Sequence, residues 1–532
     1  MKSGDRVARI PSANAPVSPR FEPDGESILF FDSVGAINLF DIKTQTVKPM
    51  LFDRAAECVF PGWSPNAESV LYYQRPRDRV PDPSVHLYQL DMASLQTERL
   101  TDDAGVMDIT PVWSPDGKRI LFRRMSGFGP RQTRAACILE VVTEKVTPLC
   151  PDDPGDAVVS RFHWSPDGSH VIAMKTQRAQ GTPPGTLKLV RVDDAKVIWD
   201  IEESGLEDAA FLSSGRILGI TDEGFCWIDA ADGAIGNRFA FAETGSCRRD
   251  VNGPVLGIDG DDVLFLSDKR SIYRVTPGGS SSVVLDPEAE PLPVCEQSEY
   301  RVASDDGFSV PVKRFTPPNA KPLAVMVVIG GPGAPIDPDM DPIIGVLIEA
   351  GYEVAVPAYR GCNGYGPEHL AAGRGEWGNA DVLDVVAAGN DWKQRSERPL
   401  AVVGYSYGGY LTLLALARDD APWLGGATLW GMLSLQPPLL SMIEATVPAE
   451  SIKAVIAARS PLAQASHIDR PLLLLHGALD GGATTEEAMS LAKAIAHAQL
   501  HVYKNDAHGL SLNRGDVIHR LTAFLVGPPL TP

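Results

Sequence analysis

A short segment that joins an aromatic residue to a Pro-Asp-Gly turn recurs along the first half of the chain and strongly constrains its fold. The clearest copies read PRFEPDGESILF from Pro19, PGWSPNAESVLYY from Pro61, PVWSPDGKRILF from Pro111 and FHWSPDGSHVIAM from Phe162. Weaker copies begin at Phe211 and Gly257. In each clear copy the turn precedes an alternating apolar stretch, which is the pattern of a β-hairpin.

The spacing of these copies indicates the architecture. The prolines of the four clear turns, at positions 23, 65, 115 and 166, lie 42, 50 and 51 residues apart. A period of this length with several strands per repeat is typical of a β-propeller blade. Six copies are recognisable, so the sequence predicts a propeller of six or seven blades over residues 1–295, with a β-sandwich as the alternative. The tryptophans at Trp63, Trp113 and Trp164 are expected to pack between blades.

The pattern changes after the segment LDPEAEPLPVCEQSEY, from Leu285 to Tyr300, which predicts a crossing between two domains. Beyond it, apolar strands such as LAVMVVIG, YEVAVPAY and PLLLLHG alternate with helix-like segments at 380–392, 407–418 and 484–497. Because buried strands that alternate with helices form mainly parallel sheets, residues 296–532 are predicted to form a doubly wound α/β domain.

Composition excludes several functional classes. The 532 residues are too many for one core, and no apolar run is long enough to predict a membrane span. The formal net charge of -20 would repel nucleic acid. The seven cysteines lack CxxC spacing, so neither a metal nor another cofactor is predicted. The first residues lack an apolar stretch of signal-peptide length, which favours a cytoplasmic location, with a periplasmic one as the alternative if a signal has been removed.

The segment VVGYSYGGYL, from Val402 to Leu411, contains the strongest chemical signal in the chain. It places Ser406 in a GxSxG pattern between a predicted strand and a predicted helix. In that context the glycines allow a sharp turn that exposes the hydroxyl above the sheet. The sequence therefore predicts a nucleophilic serine on an α/β-hydrolase fold, and the alternative is a glycine-rich turn with an incidental serine.

A serine nucleophile needs a histidine as base and a carboxylate that orients it, in the chain order serine, acid, histidine. Asp480 follows the strand PLLLLHG, and His508 follows the last predicted strand, LHVYK. Both are therefore expected at the edge of the sheet where the crevice opens. Asp506 is the main alternative for the acid. The alternatives for the base are His476, His501 and His519. We interpret them as structural, because the first two lie in or beside predicted strands and the third lies in a predicted helix.

Over nearly the whole chain, the sequence resembles the prolyl oligopeptidase family of serine peptidases. The motifs that carry the resemblance are the WSPDG repeats of the propeller, then GYSYGGY, HGxxD and a final AHG. YRGCNGYG from Tyr359 and EWGNADVLDVV from Glu376 are similar to two further motifs of that family. The resemblance implies that Ser406 is the nucleophile, Asp480 the acid and His508 the base. It also implies a peptide substrate and a propeller that restricts access to the site.

The oxyanion hole departs from this resemblance. One donor is expected to be the backbone amide of Tyr407, which follows the nucleophile, and each such donor contributes about 3 kcal/mol. Relatives commonly carry a tyrosine or histidine before the glycine pair of the preceding loop, whereas this chain has Ile329, which cannot donate. The second donor is therefore expected from the backbone amides of Gly330 or Gly331.

The substrate anchor departs as well, because Gly482 stands where relatives often place an arginine. Arg360 or Arg374 could replace it, although each is more often a solvated surface residue. Trp430 is expected either to line the substrate pocket or to pack in the core. The sequence thus predicts a serine peptidase that cleaves oligopeptides. The alternatives are an isopeptidase that opens side-chain-linked, lasso-type peptides, an esterase on the same scaffold, and a silent binding module.

Overall fold

The structure is a computed structural model that divides into two compact units, Met1–Glu288 and Ala289–Pro532. It describes residues 17–530 except 23–25, 33, 78–83, 127–132, 151–157, 177–185, 203–205, 222–223, 241–254, 260–261, 267–271, 277–280, 286–292, 332–340, 397, 436–439, 441–442, 444–446, 449 and 528–529. The division falls inside the predicted crossing, of which residues 286–292 lie outside the described part. No helix among the described residues is long and apolar enough to cross a membrane.

The first unit contains, in its described residues, six antiparallel sheets of four strands each. The first three sheets are β1 (Val17–Phe21), β2 (Ser27–Phe31), β3 (Ile37–Asp41), β4 (Thr46–Leu51); β5 (Ala56–Trp63), β6 (Ser69–Pro76), β7 (His86–Asp91), β8 (Thr97–Arg99); and β9 (Val106–Trp113), β10 (Arg119–Ser126), β11 (Thr133–Glu140), β12 (Lys145–Cys150). The other three are β13 (Val158–Trp164), β14 (His170–Thr176), β15 (Thr186–Arg191), β16 (Val197–Glu202); β17 (Leu206–Phe211), β18 (Ile217–Thr221), β19 (Gly224–Ile228), β20 (Ile235–Ala240); and β21 (Val255–Asp259), β22 (Asp262–Leu266), β23 (Ile272–Val275), β24 (Ser281–Leu285).

These sheets confirm the predicted β-propeller. In every sheet the strands pair in chain order, and the first strand carries a register irregularity against the second. Such a bulge increases local twist, which suits the strongly twisted sheet of a blade. Strand β1 contacts β21, so the first and last described sheets are neighbours.

The repeated turn connects the first and second strands of a blade, and its residues explain the motif. In the third blade the Ser114 hydroxyl donates to the Asp116 carboxylate at 2.6 Å, and the Arg119 amide donates to the Ser114 hydroxyl at 2.9 Å. Gly117 has a φ of 69°, a conformation that glycine adopts without steric cost. In the second blade Ala67 occupies the corresponding position with a φ of 57°. The turn is therefore locally encoded.

The tryptophan that recurs in the repeat packs against the preceding blade in the fourth blade. The Trp164 indole is buried and donates to the carbonyl of Val112 in the preceding blade at 3.3 Å. The guanidinium of Arg119 lies 5.2 Å from the centre of the same ring. These contacts join two adjacent blades, as the sequence predicts.

The second unit is built on one eight-stranded sheet in the order β25-β26-β28-β27-β29-β30-β31-β32, and it confirms the α/β-hydrolase fold. Its strands are β25 (Glu296–Ala303), β26 (Ser309–Thr316), β27 (Ala324–Val328), β28 (Glu353–Pro357), β29 (Leu400–Tyr405), β30 (Trp423–Leu429), β31 (Leu472–Gly477) and β32 (Ala498–Tyr503). Its described helices include α1 (Pro342–Glu349), α2 (Pro367–Ala371), α3 (Ala380–Arg395), α4 (Tyr407–Leu416), α5 (Ile452–Ala458), α6 (Pro461–Gln464), α7 (Thr485–Ala494) and α8 (Arg514–Val526).

The parallel part of this sheet determines where a site can form. Strands β28, β27, β29, β30, β31 and β32 pair in parallel, and β27, β28 and β31 are buried along their whole length. Strands buried on both faces need continuous apolar sequence, which explains runs such as LLLL in β31. The carboxyl ends of β27, β29, β31 and β32 meet at one edge of the sheet, where ligands bind in folds of this class.

Candidate active site

The loop between β29 and α4 holds Ser406 in a conformation that few non-glycine residues adopt, with φ 55° and ψ -126°. The neighbouring glycines have no space for a side chain. A Cβ on Gly404 would lie 2.2 Å from the Gly408 carbonyl oxygen, and a Cβ on Gly408 would lie 2.0 Å from the Val328 carbonyl oxygen. Each glycine of the GxSxG pattern is therefore required by close backbone packing.

The structure brings together the three side chains that the sequence predicts as a triad. His508 Nε2 lies 2.8 Å from Ser406 Oγ, and His508 Nδ1 lies 2.9 Å from Asp480 Oδ2. The Asp480 side chain is buried, whereas that of His508 is 45% exposed. The Gly482 amide donates to the other oxygen of Asp480 at 2.7 Å. A buried, hydrogen-bonded carboxylate of this kind holds the imidazole in one orientation and one tautomer.

The alternative acid, Asp506, has a different role in the structure. Its buried carboxylate accepts hydrogen bonds from the Ala507 amide at 3.1 Å and from the Asn513 amide and side chain at 3.0 and 2.9 Å. These bonds shape the loop that carries His508. The structure therefore brings Asp480, and not Asp506, into contact with the histidine.

The alternative histidines have other surroundings. His476 is buried in β31 with Nε2 3.1 Å from the Ala483 carbonyl oxygen, and burial lowers its pKa. His501 packs edge-on against Tyr503 with ring centres 4.5 Å apart, and His519 lies within α8. Within the described ranges no group of three or more His, Cys, Asp or Glu side chains is arranged to hold a metal ion.

Two backbone segments border the nucleophile where an oxyanion would form. Tyr407 is the first residue of α4, and the first amides of a helix have no acceptor within it. On the other side, a Cβ added to Gly330 would lie 3.1 Å from the Cβ of Ser406. The same Cβ would lie 3.1 Å from the ring of Tyr405, so this loop packs closely against both residues. The next amide along the loop belongs to Gly331.

Buried tyrosines support both segments. The Tyr359 hydroxyl donates to the carbonyl oxygens of Ile329 at 3.2 Å and Gly330 at 3.4 Å, and burial raises its pKa. Its ring centre lies 6.1 Å from that of Tyr407. The loop after β27 and the start of α4 are thus held by one aromatic pair, to which the motif YRGCNGYG contributes Tyr359 from the loop after β28.

Sequence reasoning did not identify the partner of the Tyr407 side chain. Its hydroxyl donates to Asp381 Oδ2, and the other oxygen of Asp381 accepts from the amides of Asn379 at 3.1 Å and Val382 at 2.8 Å. Burial raises the pKa of Asp381 to about 7, against the opposing effect of the Tyr407 hydrogen bond. The motif EWGNADVLDVV could have indicated this partner, because it places an acidic residue, Asp381, on the buried side of α3.

The structure does not support the expected substrate role of Arg360. Its Nε and Nη2 donate to Asp384 at 2.9 and 2.7 Å, and its Nη1 and Nη2 donate to Asp306 at 2.6 and 2.9 Å. The side chain is only 7% exposed. The N–H donors of this guanidinium are therefore already bonded to two carboxylates and are not free to bind a substrate carbonyl. The other candidate, Arg374, is exposed.

Trp430 lies beside the residue that precedes the nucleophile. Its ring centre is 5.7 Å from that of Tyr405, and the side chain is 6% exposed. Its backbone has a φ of 39°, and its amide donates to the Leu475 carbonyl oxygen at 2.7 Å. The residue thus packs in the core and borders the candidate site, so the two expectations for it do not conflict.

Comparison with known proteins finds relatives that are named as peptidases. Dipeptidyl peptidase family member 6 of Caenorhabditis elegans is 30% identical over 209 residues, which are 35% of this chain and 28% of that protein. Dipeptidyl-peptidase 5 of Porphyromonas gingivalis is 21% identical over 495 residues, which are 87% of this chain and 65% of that protein. The chain therefore spans less than two thirds of the length of either relative.

A solved structure shares the fold over both units. The puromycin-hydrolyzing peptidase of Mycobacterium tuberculosis aligns with a TM-score of 0.65 at 18% identity, covering 98% of this chain and 97% of that one. Residues 338–527 match the model of the prolyl oligopeptidase family, and this range contains Ser406, Asp480 and His508. This segment of the second unit is therefore similar to the prolyl oligopeptidase family.

Proposed function

We propose that this protein is a serine peptidase that hydrolyses short peptides through an acyl-enzyme on Ser406. The observation that carries the proposal is the continuous series of hydrogen bonds from Asp480 through His508 to Ser406, at 2.9 and 2.8 Å. The strained backbone of the serine aims its hydroxyl at the histidine. A serine hydroxyl is a weak nucleophile until such a base accepts its proton.

In the acylation step, His508 Nε2 accepts the proton of Ser406 as Oγ forms a bond to the substrate carbonyl carbon. Asp480 accepts from Nδ1 and stabilises the imidazolium that results. The proton then passes from Nε2 to the leaving amine as the scissile C–N bond breaks. In the second step His508 takes a proton from water, the water oxygen attacks the acyl carbon, and Ser406 leaves with that proton.

The negative charge that develops on the carbonyl oxygen needs two donors. The Tyr407 amide is one, since it begins α4 and has no acceptor within the helix. We assign the second donation to the loop after β27, where Gly330 packs against Ser406 and the next amide belongs to Gly331. This assignment explains how a chain with Ile329 can do without a side-chain donor.

The substrate class is proposed as short peptides. Relatives named as dipeptidyl peptidases support a peptide bond as the target. The isopeptidase and esterase alternatives rest on Gly482, which supplies a backbone amide to Asp480 and no side chain to a substrate. A site without that anchor would have to recognise other parts of a ligand.

The decisive test is covalent labelling combined with turnover. A fluorophosphonate probe should label the wild-type chain and Ser396→Ala, which removes a hydroxyl at the end of α3, but not Ser406→Ala. Since triad residues act as a unit, Ser406→Ala should lower kcat by roughly four to six orders of magnitude. The assay should include linear peptides, a side-chain-linked peptide and an ester, so that the fastest class identifies the reaction. Labelling that persists in Ser406→Ala would contradict the proposal.

A further inference from the structure

The second unit contains a cavity of about 310 Å³ that the proposed mechanism does not use. Its walls come from the start of α3, the end of α4 and the short helices α5 and α6. Leu414, in the wall, lies eight residues beyond Ser406 along α4, which is about 12 Å at about 1.5 Å per residue. The cavity is therefore separate from the catalytic triad.

Most of the wall is apolar. Helix α3 contributes Val382 and Leu383, α4 contributes Leu414, and α5 contributes Val455. Helix α5 has the apolar sequence IKAVIAA, yet none of its residues is buried. Because apolar surface in contact with water is unfavourable, a ligand with an apolar body would be stabilised by covering these side chains.

Arg459 places a positive charge at this apolar wall. It directly follows α5, lines the cavity and is only 8% exposed. Its Nη1 donates to the carbonyl oxygens of Gly375 at 2.7 Å and Trp377 at 3.1 Å, which fixes the orientation of the guanidinium. Among the described residues, no carboxylate lies within 4.0 Å of it, and its Nε and Nη2 have no hydrogen-bond partner. Neither of these two nitrogens is fully buried, so both are accessible to a ligand.

The two free nitrogens of Arg459 are the pair that arginine uses to bind a carboxylate. Nε and Nη2 lie on one edge of the guanidinium and donate in parallel, which matches the two oxygens of a carboxylate. Arg418, which also lines the cavity, holds Asp420 through the same two atoms at 2.8 and 2.9 Å. These three side chains carry one net positive charge, which suits a monocarboxylate better than a dianion such as phosphate.

We propose that this cavity is a binding site for a small monocarboxylate with an apolar body. The carboxylate accepts hydrogen bonds from Nε and Nη2 of Arg459, and the apolar body packs against α3, α4 and α5. The inference goes beyond the proposed peptidase function and does not depend on it. The volume of the cavity, about 310 Å³, is at the lower end of the range for small-molecule sites, so the ligand is expected to be small.

The first test compares a carboxylate with its uncharged amide. In ligand-observed NMR titrations, phenylbutyrate should bind wild type about tenfold or more tightly than phenylbutyramide, because hydrogen bonds to a charged group are about twice as strong as neutral ones. Arg459→Gln, whose amide can still donate to the neighbouring carbonyl oxygens, should bring the two affinities together. Arg395→Gln is the matched control, since it removes an exposed arginine of α3 that pairs with Asp391, and it should keep the wild-type preference.

The second test fills the cavity and leaves Arg459 in place. Val455→Trp should abolish measurable binding of phenylbutyrate. Ala454→Trp adds the same side chain at the neighbouring position, which is exposed and does not line the cavity, and it should bind as wild type does. A melting temperature measured for each variant shows that it is folded, and this pair decides the question if Arg459→Gln is not.

Three results would overturn the inference: no detectable binding of phenylbutyrate to wild type, equal affinity for the acid and the amide, or undiminished binding in Val455→Trp. Binding that disappears when a fluorophosphonate blocks Ser406 would place phenylbutyrate at the triad and would also overturn it. Because no arm of the test measures turnover, each of these failures leaves the peptidase proposal intact.

Discussion

At the scale of single residues, the candidate site is supported by a carboxyl group that is buried beneath it. Asp381 is buried beneath the start of α4 and accepts a hydrogen bond from the hydroxyl of Tyr407. The backbone amide of Tyr407 is the proposed oxyanion donor. A buried carboxyl costs free energy when it ionises, which is why its pKa is raised to about 7. We regard it as a positioning residue that acts through Tyr407.

The raised pKa predicts how stability depends on pH. An unfolded aspartate loses its proton near pH 3.9, so between about pH 4 and pH 7 the folded chain binds more protons at Asp381 than the unfolded chain. The free energy of unfolding should therefore fall as the pH rises through this interval. Asp381→Asn, which mimics the protonated form, should show a flatter profile in melting temperatures measured at pH 5 and pH 8.

The control for this prediction is Asp420→Asn, which removes an exposed carboxylate paired with Arg418. Its pKa is lowered by that partner, so its loss should leave the contribution of Asp381 unchanged. Parallel pH profiles for wild type and Asp381→Asn would show that Asp381 does not titrate as the structure implies.

At the scale of elements, the site depends on how closely α4 packs against the end of β27. The helix begins at Tyr407, and its second residue, Gly408, touches the carbonyl oxygens of Val328 and Ile329. The same loop then continues into Gly330 and Gly331. Helix and strand therefore share a backbone contact that leaves no space for a side chain, and this contact sets the distance between the two proposed oxyanion donors.

Gly408→Ala tests this contact. The added Cβ would lie 2.0 Å from the Val328 carbonyl oxygen and 2.3 Å from that of Ile329, so backbone atoms must move. We expect kcat to fall by a factor of ten or more and the melting temperature to fall, because overpacking commonly costs about 1 to 3 kcal/mol.

Gly515→Ala is the matched control, since Gly515 lies in α8 and an added Cβ there meets no atom within 4 Å. Alanine is favoured over glycine in a helix by up to about 1 kcal/mol, so this variant should be as stable as wild type or more so. Wild-type activity in Gly408→Ala would show that the spacing of β27 and α4 is not critical.

At the scale of the whole molecule, the chain joins a propeller to an α/β-hydrolase unit, and the chemistry lies in the second. The predicted and observed triad side chains all come from residues 406–508, whereas the propeller sheets contribute cores of interblade apolar contacts. The expectation from the sequence, that the propeller restricts which substrates reach the site, stays a prediction.

If the propeller restricts access, cleavage should depend on the size of the substrate and not only on its sequence. A ten-residue peptide should be cleaved, the same segment within a folded globular protein should resist, and the fully unfolded protein should be cleaved slowly at most. The measurement is mass spectrometry of the three digests over time. Cleavage of the folded protein as fast as that of the peptide would contradict the expected filter.

Sequence alone was sufficient for features that local interactions encode. The turn after each first blade strand is built from residues within a few positions of one another, such as Ser114, Asp116 and Gly117, so its signal survives in the sequence. The requirement for Gly404 is equally local, because a Cβ there would meet the Gly408 carbonyl oxygen one turn away, whereas Gly408 is also required by the distant Val328 carbonyl. The order of serine, acid and histidine follows from strands that end at one edge of a sheet.

Tertiary structure decided whatever depends on residues distant in the chain. The sequence shows an arginine at 360, but only the fold shows that Asp306 and Asp384 occupy it. The same holds for Asp506, whose carboxylate binds Asn513 and not the histidine two residues away. Sequence spacing cannot reveal these outcomes, because a charged or polar group pairs with whichever partner the packed backbone brings within hydrogen-bonding distance, and that geometry exists only after the sheet has assembled.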